Sequence, residues 1–157
     1  MRRLLAFVTV PAAALVFAAP VAADIEIQRG IAGVDVGMGQ AEVRAAHGSP
    51  RRISHGRNAF GRYTTFRYVK LRLVVTFQGG QRVTSVLTTS PRQKTTSGAG
   101  VGSTERQVRL SLLNVHCRTD AGRRHCFLGR FRAGQRVTDF TIRRGRVTSV
   151  LVGVVLD

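Results

Sequence analysis

Arg82-Val83-Thr84-Ser85-Val86-Leu87 recurs unchanged as Arg146-Val147-Thr148-Ser149-Val150-Leu151. Upstream, Gly33, Val36, Gly37, Val43 and Arg44 find counterparts in Gly98, Val101, Gly102, Val108 and Arg109, 65 residues further on. Matches in one order at a nearly constant offset are the mark of a duplicated structural unit. The chain therefore reads as two copies of one small module behind a leader. The expected organisation is a leader over 1–23, an arm over 24–30, repeat 1 over 31–90, a linker over 91–97 and repeat 2 over 98–157.

Each copy opens on a helix. In copy one it spans Gln40 to His47, with Gly39 at the cap, Glu42 three residues on, and Gly48 and Pro50 as the stop. In copy two Thr104 starts the helix and Gln107 completes a capping box. Val108, Leu112 and Val115 then give one apolar face. Helices this short are marginal alone and must pack against something. Leu71, Leu73, Val75 and Phe77 alternate with polar or smaller residues, the period of a half-buried strand. Gln78-Gly79-Gly80 turns the chain into a strand from Gln81 to Thr89, and Arg144-Gly145 turns it into the last strand, Arg146 to Leu156. Further strands are expected over Arg62 to Val69 and Arg124 to Gly129. The expected fold class is α+β: two tandem repeats, each a short helix followed by a three-stranded antiparallel unit, packed as one helix-on-curved-sheet structure. The outward residues of that sheet include Arg72, Thr76, Asp139, Thr141 and Arg143.

Met1-Arg2-Arg3, the apolar run from Leu4 to Ala19 and Val21-Ala22-Ala23 together have the form of a secretory signal peptide cut after Ala23. The run is broken by Pro11 and falls short of the ~20 residues that span a bilayer. No other segment is apolar enough to cross a membrane, so the mature chain is expected to be exported and soluble. Without Arg2 and Arg3, 23 basic residues face 8 acids, a formal net charge of +15. Such a charge speeds association with anionic surfaces in a salt-dependent way. For an exported chain the fitting anions are wall polymers, lipid head groups or an acidic protein, and nucleic acid is not expected. The dominance of arginine over lysine is also what a GC-rich genome encodes.

Cys117 and Cys126 are the only cysteines. Pairing them puts Ala121-Gly122 at the centre of a two-residue turn, with the two cysteines opposite on adjacent strands. An oxidising compartment favours this disulfide. The alternative is a metal site, since the chain reads His116-Cys117 and then His125-Cys126; but neighbouring strand residues point to opposite faces.

Val36-Gly37-Met38-Gly39-Gln40-Ala41-Glu42-Val43, followed by Gly48-Ser49-Pro50, resembles the opening signature of the repeat shared by β-lactamase inhibitor proteins and the SmpA/OmlA-type outer-membrane assembly lipoproteins. Copy two has Val101-Gly102-Ser103-Thr104 in its place. The tandem arrangement is similar to the inhibitor proteins, whereas no lipid-anchoring cysteine follows the apolar run. The resemblance implies a curved sheet with helices on one side and a non-enzymatic binding role. It transfers no contact residues.

No Gly-x-Ser-x-Gly elbow, zinc-helix motif or phosphate loop is present, and no convergent nucleophile and base are evident, so no enzyme activity, catalytic residue, cofactor or metal is expected. His47 sits at a helix end, where a cation suits the dipole. The basic and aromatic residues Arg57, Arg62, Tyr63, Arg67, Arg72 and Arg143 form the candidate binding surface; aromatic and arginine side chains are enriched at protein interfaces. Phe66 and Tyr68, alternating with them, are expected in the core. The function expected is an exported, non-catalytic binding protein that inhibits or scaffolds an envelope or secreted protein. The alternative is an electrostatic envelope factor held on anionic wall polymers or lipid head groups.

Overall fold

The computed structural model describes residues 24–156. The expected signal peptide, 1–23, lies outside the described residues. Three two-residue strands come first: β1 (Ile25–Glu26), β2 (Gly30–Ile31) and β3 (Val34–Asp35), paired in that order as a small antiparallel sheet. Helix α1 (Gln40–His47) follows. The chain then runs through β4 (Arg52–Asn58), β5 (Gly61–Tyr68), β6 (Leu73–Gln78) and β7 (Ser85–Thr88). After helix α2 (Glu105–Ser111) come β8 (His116–Asp120), β9 (Arg123–Leu128), β10 (Arg136–Arg143) and β11 (Arg146–Val154).

The eight long strands form one antiparallel sheet in the order β4-β5-β6-β7-β11-β10-β9-β8. The recurring hexapeptide builds its centre. Val86, Leu87 and Thr88 of β7 lie opposite Val152, Leu151 and Val150 of β11. The same backbone contact occurs in each half of the sheet: the Gly37 amide donates to the Val83 carbonyl and the Gly102 amide to that of Val147, each at 2.8 Å. Arg82 Nη1 likewise reaches the Gly37 carbonyl at 2.9 Å, and Arg146 Nη1 the Gly102 carbonyl at 3.0 Å.

The expected α+β class, with three-stranded units and helices laid on a curved sheet, is overturned. The protein is mostly β. Its two helices hold eight and seven residues, and each half contributes four strands to the large sheet. The strands left out of the expected count are the outermost ones, β4 and β8. An edge strand buries little on either face, so Arg52-Ile53-Ser54-His55-Gly56-Arg57-Asn58 shows no apolar alternation. The stretch 24–30, expected as an arm, supplies β1 and the start of β2, with Ile25 1% exposed. In the linker stretch 91–97, Gln93 and Thr95 are buried, and the Ile25 amide donates to the Lys94 carbonyl.

Sheet register explains the core. One row reads Tyr68, Leu73, Thr88, Val150, Phe140, Cys126 and Cys117 across seven strands, on the face against which the small sheet packs. Ile25, Ile31 and Val34 from the small sheet pack there, with Val43 from α1 and Val108 from α2. Each fully buried side chain of this kind contributes roughly 1.5–3 kcal/mol. Phe66 and Tyr68 are buried in this core, as the alternation implied. The other face is open. Its matching row reads Arg52, Arg67, Val74, Leu87, Leu151, Asp139, Phe127 and His116.

Hairpin chemistry is regular where glycine permits it. Ala121-Gly122 and Arg144-Gly145 each have both residues at positive φ, the backbone of the tight turn whose twist matches the flanking strands. Cys117 and Cys126 sit opposite in the β8–β9 register and are joined as a disulfide, so no free cysteine remains for a metal.

Candidate functional site

Charge is divided unevenly along the sheet. Residues 43–104 contain no aspartate or glutamate and eleven lysines and arginines, so strands β4 to β7 carry no acid. The five acids Glu26, Asp35, Glu105, Asp120 and Asp139 all take part in ion pairs elsewhere. Within the basic half, register places like charges face to face. Arg52 lies directly opposite Arg67, and Arg57 directly opposite Arg62. Like charges in such positions destabilise a strand pair, by about 0.2–1 kcal/mol each. Among the described residues none of the four makes an ion pair.

The expected surface is therefore not one patch. Arg57, Arg62 and Tyr63 come together with His55, Gly79 and Gly80 around a cavity of ≈ 600 Å³ at the free end of the β4–β5 hairpin. Tyr63 lies across Gly56: a Cβ at Gly56 would stand 2.4 Å from the phenol, so only glycine admits the ring there. Arg67 and Arg72 line a second hollow on the open face, ≈ 440 Å³, with Val74, Leu87 and Thr89. Leu87 and Thr89 also wall a third, ≈ 530 Å³, which holds Arg143 with Arg123, Asp139 and Thr141. Arg67, Arg72 and Arg143 thus share one trough along the open face, floored by Leu87 and Leu151. Arg57 and Arg62 point to the other face at the sheet's edge.

A further cluster on the open face was not among the candidates. His125 is 3% exposed, and its Nδ1 lies 2.8 Å from Asp139 Oδ1. An ionised carboxylate only accepts, so Nδ1 is the donor. Phe127 and Phe131 stack around the imidazole with centroids 5.4 and 6.0 Å away, and the Arg118 guanidinium lies over both phenyl rings. His125 Nε2 is buried and has no partner among the described residues. The pair joins residues fourteen apart, and no local motif announces it; only the β9–β10 register brings them together.

Other polar groups serve structure. Arg124 donates to Glu105 from Nε at 3.0 Å and pins α2 to β9. That hydrogen bond holds the Glu105 carboxyl below its ordinary pKa, against a smaller opposing effect of burial. Burial lowers the Lys94 ammonium, whose Nζ donates to the Val101 carbonyl at 2.6 Å. Burial raises the Tyr68 phenol, which donates to the Gly48 carbonyl. His47 closes α1 edge-on to the Tyr68 ring.

No family model and no curated protein matches the chain. Solved structures do share its fold. An extracellular protein containing an SCP domain from Bacillus anthracis aligns with TM-score 0.54 and 11% identity over 88% of this chain and 50% of that one. A cysteine-rich secretory protein from Staphylococcus aureus aligns with TM-score 0.52 and 14% identity, over 84% of this chain and 48% of that one. The chain thus spans about half the length of each. A DUF4309 family protein from Bacillus subtilis aligns with TM-score 0.51 and 16% identity, over 83% of this chain and 87% of its own. At such identities the likeness is one of fold.

Proposed function

We propose that the chain is an exported, non-catalytic binding protein whose acid-free half-sheet engages an anionic protein of the envelope or the surrounding medium. The observation that carries this reading is the pair of opposed arginine pairs on β4 and β5, Arg52 with Arg67 and Arg57 with Arg62, none of which makes an ion pair among the described residues. An arriving carboxylate relieves repulsion that the free protein sustains. Export is supported by the leader-like start of the sequence and by the Cys117–Cys126 disulfide, a bond that persists in oxidising compartments. Inhibition of a target enzyme, as in the β-lactamase inhibitor proteins, is one form such binding takes.

A second reading is favoured by the arginines standing on both faces of the sheet: an electrostatic factor held on wall polymer or lipid head groups with no shape-specific partner. The test is capture from culture fluid and wall extracts, with the Arg57→Ala, Arg62→Ala, Arg67→Ala triple variant alongside. A stoichiometric protein retained by the wild type and lost by the variant supports the first reading. Recovery of polymer alone, released steeply as screening shortens to ~3 Å at 1 M salt, overturns it in favour of the second.

A further inference from the structure

The outermost strand of the basic half is unusually open. β4 runs seven residues in unbroken register with β5 and, among the described residues, has no strand on its other side. The direction of its backbone groups follows from the next strand in. The Gly79 amide donates to the Arg62 carbonyl at 2.8 Å. Antiparallel strands alternate the side on which each residue bonds. Even-numbered residues of β5 therefore bond to β6, and Gly61, Tyr63, Thr65 and Arg67 bond to β4. Their partners are Asn58, Gly56, Ser54 and Arg52. Ile53, His55 and Arg57 are left with amide and carbonyl groups turned outward. Such an edge is a template for another strand unless it is blunted. Here only the charges of Arg52 and Arg57 blunt it, with no proline and no bulge inside the strand.

We infer that β4 accepts an extended acidic segment of a partner protein as a ninth strand. This rests on the anionic partner proposed above and names the manner of its binding. A second copy of this chain is a poor occupant, because pairing β4 with β4 adds arginine to arginine. The opposite edge, β8, is two residues shorter, carries Asp120 and is tied to β9 by the disulfide.

The geometry also specifies a pattern. Arg52 points to the open face with Arg67, and Arg57 to the covered face with Arg62. An antiparallel guest meets them with two acids five positions apart. The residue next to the second acid falls opposite Ile53, which is 43% exposed and unpaired at the edge. The guest thus reads acid, three residues, an apolar residue, acid. Affinity comes from main-chain hydrogen bonds and selectivity from alternate side chains.

The probe is the peptide acetyl-Glu-Thr-Val-Thr-Val-Glu-amide, titrated into the protein by calorimetry at low salt. Its control carries N-methyl groups on both valines, keeping every charge but losing the amides that face Ile53 and His55. The expected result is at least about tenfold weaker binding of the control, which has lost two main-chain hydrogen bonds. Amide exchange at Ile53, His55 and Arg57 should slow when the unmodified peptide binds. His55→Pro, at an outward position that proline tolerates in an edge strand, should lose the preference between the peptides while keeping its melting temperature. If that variant melts early, exchange at the three wild-type amides decides alone. Equal affinity for the two peptides overturns the ninth strand while leaving anion binding intact. No binding of either overturns both. Concentration-dependent dimers whose contact protects β4 overturn it too, by making a second copy the occupant.

Discussion

Reducing the Cys117–Cys126 bridge isolates one contribution to stability. The two cysteines are nine residues apart, so the disulfide closes a ten-residue loop. In the chain-entropy description, that constraint removes about 9 cal/mol/K from the unfolded chain, or about 2.7 kcal/mol at room temperature. The native state loses little on reduction, because β8 and β9 are already paired over five residues and Cys126 is fully buried. At roughly 4 °C per kcal/mol for a chain of this size, the melting temperature should fall by about 10 °C. The assay is circular dichroism during heating, on protein refolded with and without reductant, with free thiols counted in each sample. A reduced protein that melts within about 2 °C of the oxidised one would refute the reasoning, since the unfolded chain would then not be what the bridge restrains.

Phe140→Ala removes a fully buried ring at the centre of the core row and should cost about 3–5 kcal/mol in denaturant unfolding, whereas Phe60→Ala, at an exposed turn, should change stability by less than about 0.5 kcal/mol. Glu105→Gln should lower stability near neutral pH. The folded-state pKa of Glu105 lies below its unfolded value, so its contribution is complete above about pH 4.3 and is lost as pH falls through the depressed value. Wild type and variant should therefore converge in acid, as melts across that range will show. His125→Ala leaves the half-buried Asp139 carboxylate without its donor and should cost about 1.5–3 kcal/mol, read from urea unfolding.

Much of the strand and turn placement is legible in the chain. Gln40–His47 is helical from Gly39 to Gly48 because Glu42 returns to the Gly39 amide at 2.6 Å and Gly48 takes the positive φ that ends it. The second helix begins after Thr104 as its capping box implies, but stops at Ser111, and Leu112 and Val115 pack from beyond its end. The disulfide is legible because Ala121-Gly122 fixes the register that puts the cysteines face to face. What escapes is whatever lacks a local period. Strand β4 has both faces near solvent, and β1 to β3 are two residues each, too short for any alternation to register. Of the candidate surface, composition alone found the arginines. Their division between the hairpin cavity and the open trough depends on the parity of β5, where Arg62 and Arg67 fall on opposite faces. The His125–Asp139 pair is set by the register of β9 with β10, which no single strand encodes.

The central claim is that the first half of the sheet, and not the overall charge, is what binds anions. It is tested most directly by measuring affinity for polyglutamate at low salt for two variants of equal net charge. One replaces Arg52, Arg57, Arg62 and Arg67 by alanine. The other replaces Arg123, Arg130, Arg132 and Arg144, exposed residues of the second half that make no ion pair among the described residues. The first variant should bind at least about tenfold more weakly than wild type and the second within about threefold of it. Equal losses in the two would contradict the account.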